Sequence, residues 1–306
     1  MGNLLGRRML LVTGKGGVGK TTVAAALVLA AAADRRRVLC AEVWGDTGGA
    51  PHDTPLMRAL GAARVSDVPS EVLPGVHGVL LTPTQGHKQF LHQVLPRLLV
   101  DAALHAPAIR RFLAAAPAIP EMGLMYQLLD LLRRQDREGR RMYDLCVVDA
   151  PATGHALALA QIPAMLLEVI PHGRIGATAR EGLGVLTDPA STGAVVVTLP
   201  EALPVSETLE LCRGLADHRI PLGAVIANRI PEDPLNPSQR AALEGFLKGR
   251  SGPGTRLLAR AEAAGAALRG LSTLAVPVAR VNEEAAVGAA LARRVQSALA
   301  VQGVLA

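Results

Sequence analysis

Seven short apolar runs recur along the chain: Met9–Thr13, Val38–Val43, Val79–Thr82, Leu145–Asp149, Ala194–Leu199, Ala224–Asn228 and Leu274–Val276. They are rich in Val and Leu and do not alternate with polar positions, as expected of parallel strands covered on both faces. The stretches between them, such as Thr21–Ala33 and Val205–Asp217, are long enough for helical crossovers. This alternation predicts an α/β fold with a doubly wound, mostly parallel sheet. The rhythm breaks once. Residues 84–141 carry no strand signal, whereas Leu91, Val94, Leu95, Leu98 and Leu99, and later Leu124, Leu128, Leu131 and Leu132, fall at helical spacing. Pro107, Pro117 and Pro120 cut this segment into pieces. The pattern predicts a single domain over 1–306 with a helical insertion at about 84–141, and a flexible loop at Lys248–Gly254.

Composition removes several classes of protein. Half of the 306 residues are hydrophobic and only 19% are charged, which excludes wholesale disorder. Cys40, Cys146 and Cys212 stand far apart in apolar stretches, so neither a disulfide framework nor a zinc or redox C-x-x-C site is expected. The longest apolar run, Val23–Ala33, is well short of the roughly 18–20 residues of a membrane span. Arg7 and Arg8 precede an apolar run that ends in a glycine-rich segment rather than a cleavage site, and Gly6 stands where a myristoylation signal needs Ser or Thr. A cytoplasmic chain without stable membrane insertion is expected. The net charge is +6, but the arginines are scattered in small clusters such as Arg35–Arg37, Arg133/Arg134 and Arg140/Arg141. No concentrated basic face for nucleic acid is predicted. The tail Val287–Ala306 places Leu291, Val295 and Leu299 in register and is predicted to dock back on the domain.

Within that charge, only four of 32 cationic residues are lysine: Lys15, Lys20, Lys88 and Lys248. The first two belong to Gly14-Lys15-Gly16-Gly17-Val18-Gly19-Lys20-Thr21-Thr22, which satisfies G-x-x-x-x-G-K-[ST] between a strand and a helix. Glycines let consecutive N–H groups curl around phosphate oxygens, and the following helix adds its positive end. The motif predicts a P-loop NTPase binding ATP and Mg²⁺. Lys20 bridges the β- and γ-phosphates, and Thr21 ligates the metal. Lys88 and Lys248 have no assigned role.

Lys15 gives the motif the form K-G-G-x-G-K-[ST], which resembles the deviant P-loop of the dimeric ATPases that include MinD, ParA, the nitrogenase iron protein and the ArsA-type ATPases. Asp149-Ala-Pro151-Ala-Thr153-Gly154-His155, running on to Gln161-Ile162-Pro163, is similar to switch II of ArsA and its tail-anchored-protein-targeting relatives. Val197–Thr208, Ala224–Arg229 and Ala118–Gly123 carry further likeness, so the similarity spans about residues 9–280. The resemblance implies that Lys15 reaches the partner's nucleotide across a dimer and that Asp149 helps hold the Mg²⁺ shell, directly or through water. It also implies that Pro151 and Thr153–His155 move with nucleotide state. Asn228 would read the adenine edge, and Pro277, expected after the last strand, would line the base.

Three departures shape the expected function. The switch I aspartate of the family falls on Trp44, so water positioning is assigned to Asp46, two residues on, with Asp53 a further candidate. A displaced carboxylate implies slow hydrolysis. No zinc-binding C-x-x-C staples a dimer, and no cysteine cluster suits arsenite. The expectation is an ATP-switched homodimer, or a pair with a related ATPase, that engages a protein client through the helical insertion. Leu91, Leu95, Leu98, Leu113, Met122, Leu124, Met125 and Leu128 are offered as a groove. The alternatives are a catalytically weak nucleotide-binding regulatory subunit and a MinD/ParA-like positioning ATPase.

Overall fold

The computed structural model describes residues 3–44, 51–86, 88, 119–150, 153–232, 235–249 and 251–305. At its centre lies β1 (Met9–Gly14), every residue of which is buried. A strand with no exposed position must be paired along both edges and covered on both faces. The strands that follow are β2 (Val38–Val43), β3 (Ser70–Leu73), β4 (Val76–Leu81), β5 (Leu145–Asp149), β6 (Thr192–Thr198), β7 (Leu222–Ile230) and β8 (Val278–Asn282). They form one sheet in the order β3-β4-β2-β5-β1-β6-β7-β8, parallel throughout except for β3 against β4.

Among the described residues the helices are α1 (Lys20–Ala33), α2 (Pro55–Leu60), α3 (Ile119–Arg133), α4 (Thr153–Val169), α5 (Gly173–Thr187), α6 (Ala202–Asp217), α7 (Pro237–Leu247), α8 (Pro253–Gly270) and α9 (Gly288–Val301). One face of the sheet is covered by α1, α2 and α9, where Val23, Leu27, Leu56, Val295 and Leu299 pack on Val12, Cys40 and Val147. The other is covered by α3, α5, α6 and α8, where Leu128, Leu186, Leu211 and Ala267 meet Leu11, Val148 and Val196. Helices on both faces of a largely parallel sheet make the fold doubly wound, as the sequence pattern predicts.

The chain passes from β1 through α1 to β2 on one side, whereas β6 lies on the other. Beside β1 the connections therefore run in opposite directions, which opens a crevice above the C-terminal ends of the strands. Register brings those ends level: Glu42 pairs with Asp149, Val12 with Asp149, Gly14 with Val197, and Thr198 with Ala227.

The differences from expectation are at the sheet edges. β3 has no counterpart among the predicted runs, and the predicted Leu274–Val276 strand gives way to β8, four residues later. Burial along β8 alternates, with Ala279 and Val281 inward and Arg280 and Asn282 exposed, so it does not read as an apolar run. Leu271–Thr273 forms a 3₁₀ turn instead. Of the insertion, 89–118 lie outside the described residues, together with Leu91, Leu95, Leu98 and Leu113. Met122, Leu124, Met125 and Leu128, expected in an apolar groove, are buried. α3 turns its 124/128/131 stripe onto its own sheet, and Met122 packs with Tyr126 against Ile162 of α4. The Gln127 side chain fixes this docking. Its Nε2 donates to the Leu80 carbonyl at 3.1 Å and its Oε1 accepts from the Thr82 N–H at 2.8 Å. The C-terminal tail docks through Ala292, Val295 and Leu299. Among the described residues no helix is long and apolar enough to cross a membrane.

Two outcomes follow. Replacing Gln127 by Leu strands a buried carbonyl and a buried N–H, so urea unfolding should show a loss of about 1–3 kcal/mol. Cys40, Cys146 and Cys212 are all free and buried, and burial pushes the Cys40 thiol up to about 12 and the Cys212 thiol up to about 11. A thiol reagent at pH 8 should therefore label the native protein negligibly and all three cysteines in denaturant; rapid native labelling would contradict this packing.

Candidate functional site

At Gly14 the chain leaves β1 with φ of 144°, and a Cβ there would stand 2.2 Å from the Val197 carbonyl oxygen on β6. Only glycine fits that exit. At Gly19 φ is 97° and a Cβ would lie 2.3 Å from Asn228 Nδ2 on β7. Between these two tight points Gly16 and Gly17 are exposed, and nothing stands within 4 Å of a Cβ added to either. The loop is thus clamped at its ends and open in the middle. Gly19 caps α1 with no side-chain hydrogen bond, so the first N–H groups of α1 keep their capacity for an anion.

Lys20 curls inward. Its Nζ donates to the Lys15 carbonyl at 2.9 Å, within the loop it serves. Burial lowers its pKa, and the charge of Asp149 partly offsets that. Thr21 Oγ1 donates to Asp149 Oδ2 at 2.7 Å, which ties the start of α1 to the end of β5. Asp149 is 6% exposed, and its Oδ1 is buried without a partner. Burial pushes this carboxyl up to about 6, against the opposing effects of the Thr21 hydroxyl and Lys20. A hydroxyl and a carboxylate beside an anion cradle suit a hard divalent cation that keeps part of its water. The residues present therefore fit Mg²⁺ and a nucleotide polyphosphate. Among the described residues no group of three or more His, Cys, Asp or Glu side chains is placed to hold a metal by itself.

Lys15 points the other way. Its Nζ lies 2.5 Å from Oε1 of Glu207 on α6, with the lysine side chain 43% exposed. Glu207 Oε2 is buried and unpartnered. Asn228 is buried at the level of the loop, and its Nδ2 donates to the Val18 carbonyl at 2.9 Å. That bond holds the loop and uses the amide's donor side.

Asp46 and Pro151 lie outside the described residues. Thr153, Gly154 and His155 form the first turn of α4, which begins four residues after Asp149. Trp44 follows β2 directly, half-buried, with its ring 6.2 Å from that of His52. Asp53 is exposed and pairs with Arg58 at 3.5 Å. Pro277 is not brought to the site. It precedes β8 rather than following the last strand, and its carbonyl accepts from the Val225 N–H, three residues short of Asn228 along β7.

One site residue had no role assigned from sequence. Glu42, next to last in β2, is 5% exposed and is the register partner of Asp149. Burial pushes its carboxyl up to about 7, helped by the charge of Asp149 and opposed by hydrogen bonds from Thr54 and Leu56. Both acids bind a proton more tightly folded than unfolded. The cost of ionising them is absent below the ordinary carboxylate range and fully present above about pH 7. The signal was available in Val38-Leu-Cys-Ala-Glu42-Val43, where one charge interrupts an otherwise apolar strand.

Comparison with known proteins agrees with this geometry. Residues 9–272 match the family described as the CobQ/CobB/MinD/ParA nucleotide binding domain. Over 259 residues the chain is 34% identical to the ATPase BagA of Mycobacterium tuberculosis, covering 79% of this chain and 71% of that protein. It is 22% identical over 262 residues to the ATPase GET3 of Candida glabrata, covering 73% and 72%. A P-loop clamped between β1, β6 and α1, a carboxylate at the end of β5 and these matches together place the chain in the CobQ/CobB/MinD/ParA nucleotide-binding family, as an ArsA/GET3-like P-loop protein.

Proposed function

We propose that this protein is a slow Mg²⁺-dependent ATPase whose two chains close around ATP, and that closure is passed to a protein client through the helices beyond switch II. The observation that carries this reading is the division of labour between the two loop lysines. Lys20 faces its own loop, whereas Lys15 leaves it and is held at the surface by Glu207. An ammonium that does not serve its own phosphates is available to a partner's.

The named residues then have distinct tasks. Gly16, Gly17 and the N-terminus of α1 receive phosphate oxygens, Lys20 neutralises them, and Thr21 with Asp149 holds the metal. When bound, Mg²⁺·ATP supplies the phosphoanhydride to be cleaved and a counter-charge on its oxygens. Lys15 of one chain, released from Glu207, stabilises negative charge on the partner's phosphate. Asp46 orients water, and Trp44 in the position of the family's carboxylate makes that step slow. The α3–α4 contact of Met122 and Tyr126 with Ile162 offers a route from Thr153–His155 to the insertion.

Molecular mass measured by light scattering should double when ADP is replaced by a non-hydrolysable ATP analogue with Mg²⁺. A single chain in both states would overturn the proposal. Lys15→Ala should keep nucleotide affinity close to wild type while hydrolysis falls roughly 10²–10³-fold, the usual effect of removing one transition-state donor. Lys20→Ala should lose nucleotide binding itself. If Lys15→Ala hydrolyses at the wild-type rate, the lysine does not act in the partner's site. Measurable turnover by Asp46→Asn equal to wild type would remove Asp46 from the mechanism.

A further inference from the structure

Glu42 and Asp149 are neighbours on β2 and β5, paired at the same register. Adjacent strands stand about 4.8 Å apart, and residues two apart along a strand share a face. Val38 and Cys40 on β2, and Leu145 and Val147 on β5, lie in the core beneath α1. Glu42 and Asp149 continue that face to its open end, where Thr21 stands in the first turn of α1. Both are more than nine-tenths buried, and each keeps one oxygen, Glu42 Oε2 and Asp149 Oδ1, without a hydrogen-bond partner.

The other oxygen of each acid is already explained. Asp149 Oδ2 accepts from Thr21. Glu42 Oε1 accepts from the Leu56 N–H at 3.4 Å, and the Thr54 hydroxyl also bonds this carboxyl at the start of α2. An anchor for α2 needs a single acceptor, which a glutamine would provide. It gives no reason for a second buried oxygen beside another acid, since two unpaired carboxylate oxygens in an apolar core are costly. Arg58 is the nearby cation on α2, and it bonds Asp53 at the surface rather than Glu42.

We propose that Glu42 is a second carboxylate of the divalent-cation site, acting with Asp149 on the cation's water shell and linking that shell to the start of α2. It is a positioning residue, reaching the reacting atoms through the cation and its waters. The inference rests on the nucleotide-site reading above. It assigns to β2 an acid two residues before Trp44.

Mn²⁺ is the probe, followed by its electron paramagnetic resonance signal in the full chain with saturating ADP, so that no turnover is required. Wild type should bind Mn²⁺ in an ADP-dependent way. Glu42→Gln should bind it about tenfold more weakly, the lower end of losses seen for outer-shell partners of metals. Its affinity for ADP without metal should be unchanged, and the metal-free protein should melt no lower than wild type, because the amide oxygen keeps the α2 bond. Glu42→Asp, which retains charge, should recover part of the Mn²⁺ affinity and serves if the glutamine variant does not fold. Wild-type Mn²⁺ affinity in Glu42→Gln, alongside its loss in Asp149→Asn, would reduce Glu42 to an α2 anchor. Failure of wild type itself to bind Mn²⁺ with ADP would instead overturn the nucleotide-site reading, and this inference with it.

Discussion

β1 leaves the sheet where two neighbouring strands have already taken the space around it. The carbonyl of Val197 occupies the position a side chain would need at Gly14, and the Asn228 amide does the same at Gly19. Backbone alone can pass, and it passes with positive φ at both points. That constraint leaves Gly16 and Gly17 open and starts α1 with no side chain over its end. The anion cradle is therefore a consequence of how tightly β1, β6 and β7 pack, more than of glycine's flexibility. Lys20, Thr21, Asp149 and Asn228 all take their positions from it through direct hydrogen bonds to the loop or to the first turn of α1.

Charge is then distributed by depth. The compact ammonium of Lys20 lies within the loop, where a planar guanidinium would not occupy the same space among phosphate oxygens. Lys15, five residues earlier, sits at the rim in contact with an acid from α6. Two acids, Asp149 and Glu42, stand side by side on the sheet below, each with an oxygen that finds no protein donor. A site with its cations above and surplus acceptors below is arranged for a polyanion that arrives together with a divalent metal.

Much of this was legible in the chain. Central strands buried on both faces produce unbroken apolar runs, and β1, β2 and β5 lie within a residue of where those runs predicted. Edge strands β3 and β8 are covered on fewer sides, so their composition is mixed and the same search passes over them. The misplacement of Pro277 follows from that error, since the end of the last strand was set too early. Helical spacing at Leu124, Leu128 and Leu131 identified α3 correctly but could not say what the stripe faces. The same leucines serve a client groove or a sheet equally well in sequence, and their burial in one core with Leu11 and Val148 decides for the sheet.

By itself the sequence determined the phosphate chemistry, because glycines, a lysine and a hydroxyl in fixed order along a strand–turn–helix act through local backbone geometry. It also determined the layered α/β architecture, through runs whose length and period reflect burial. Only the tertiary structure decided which distant side chains meet. Glu207 reaches Lys15 across 192 residues, Asp149 reaches Thr21 across 128, and Glu42 stands beside Asp149 through strand register alone. Pairings of that kind depend on strand order and crossover, and no local pattern of residues encodes them.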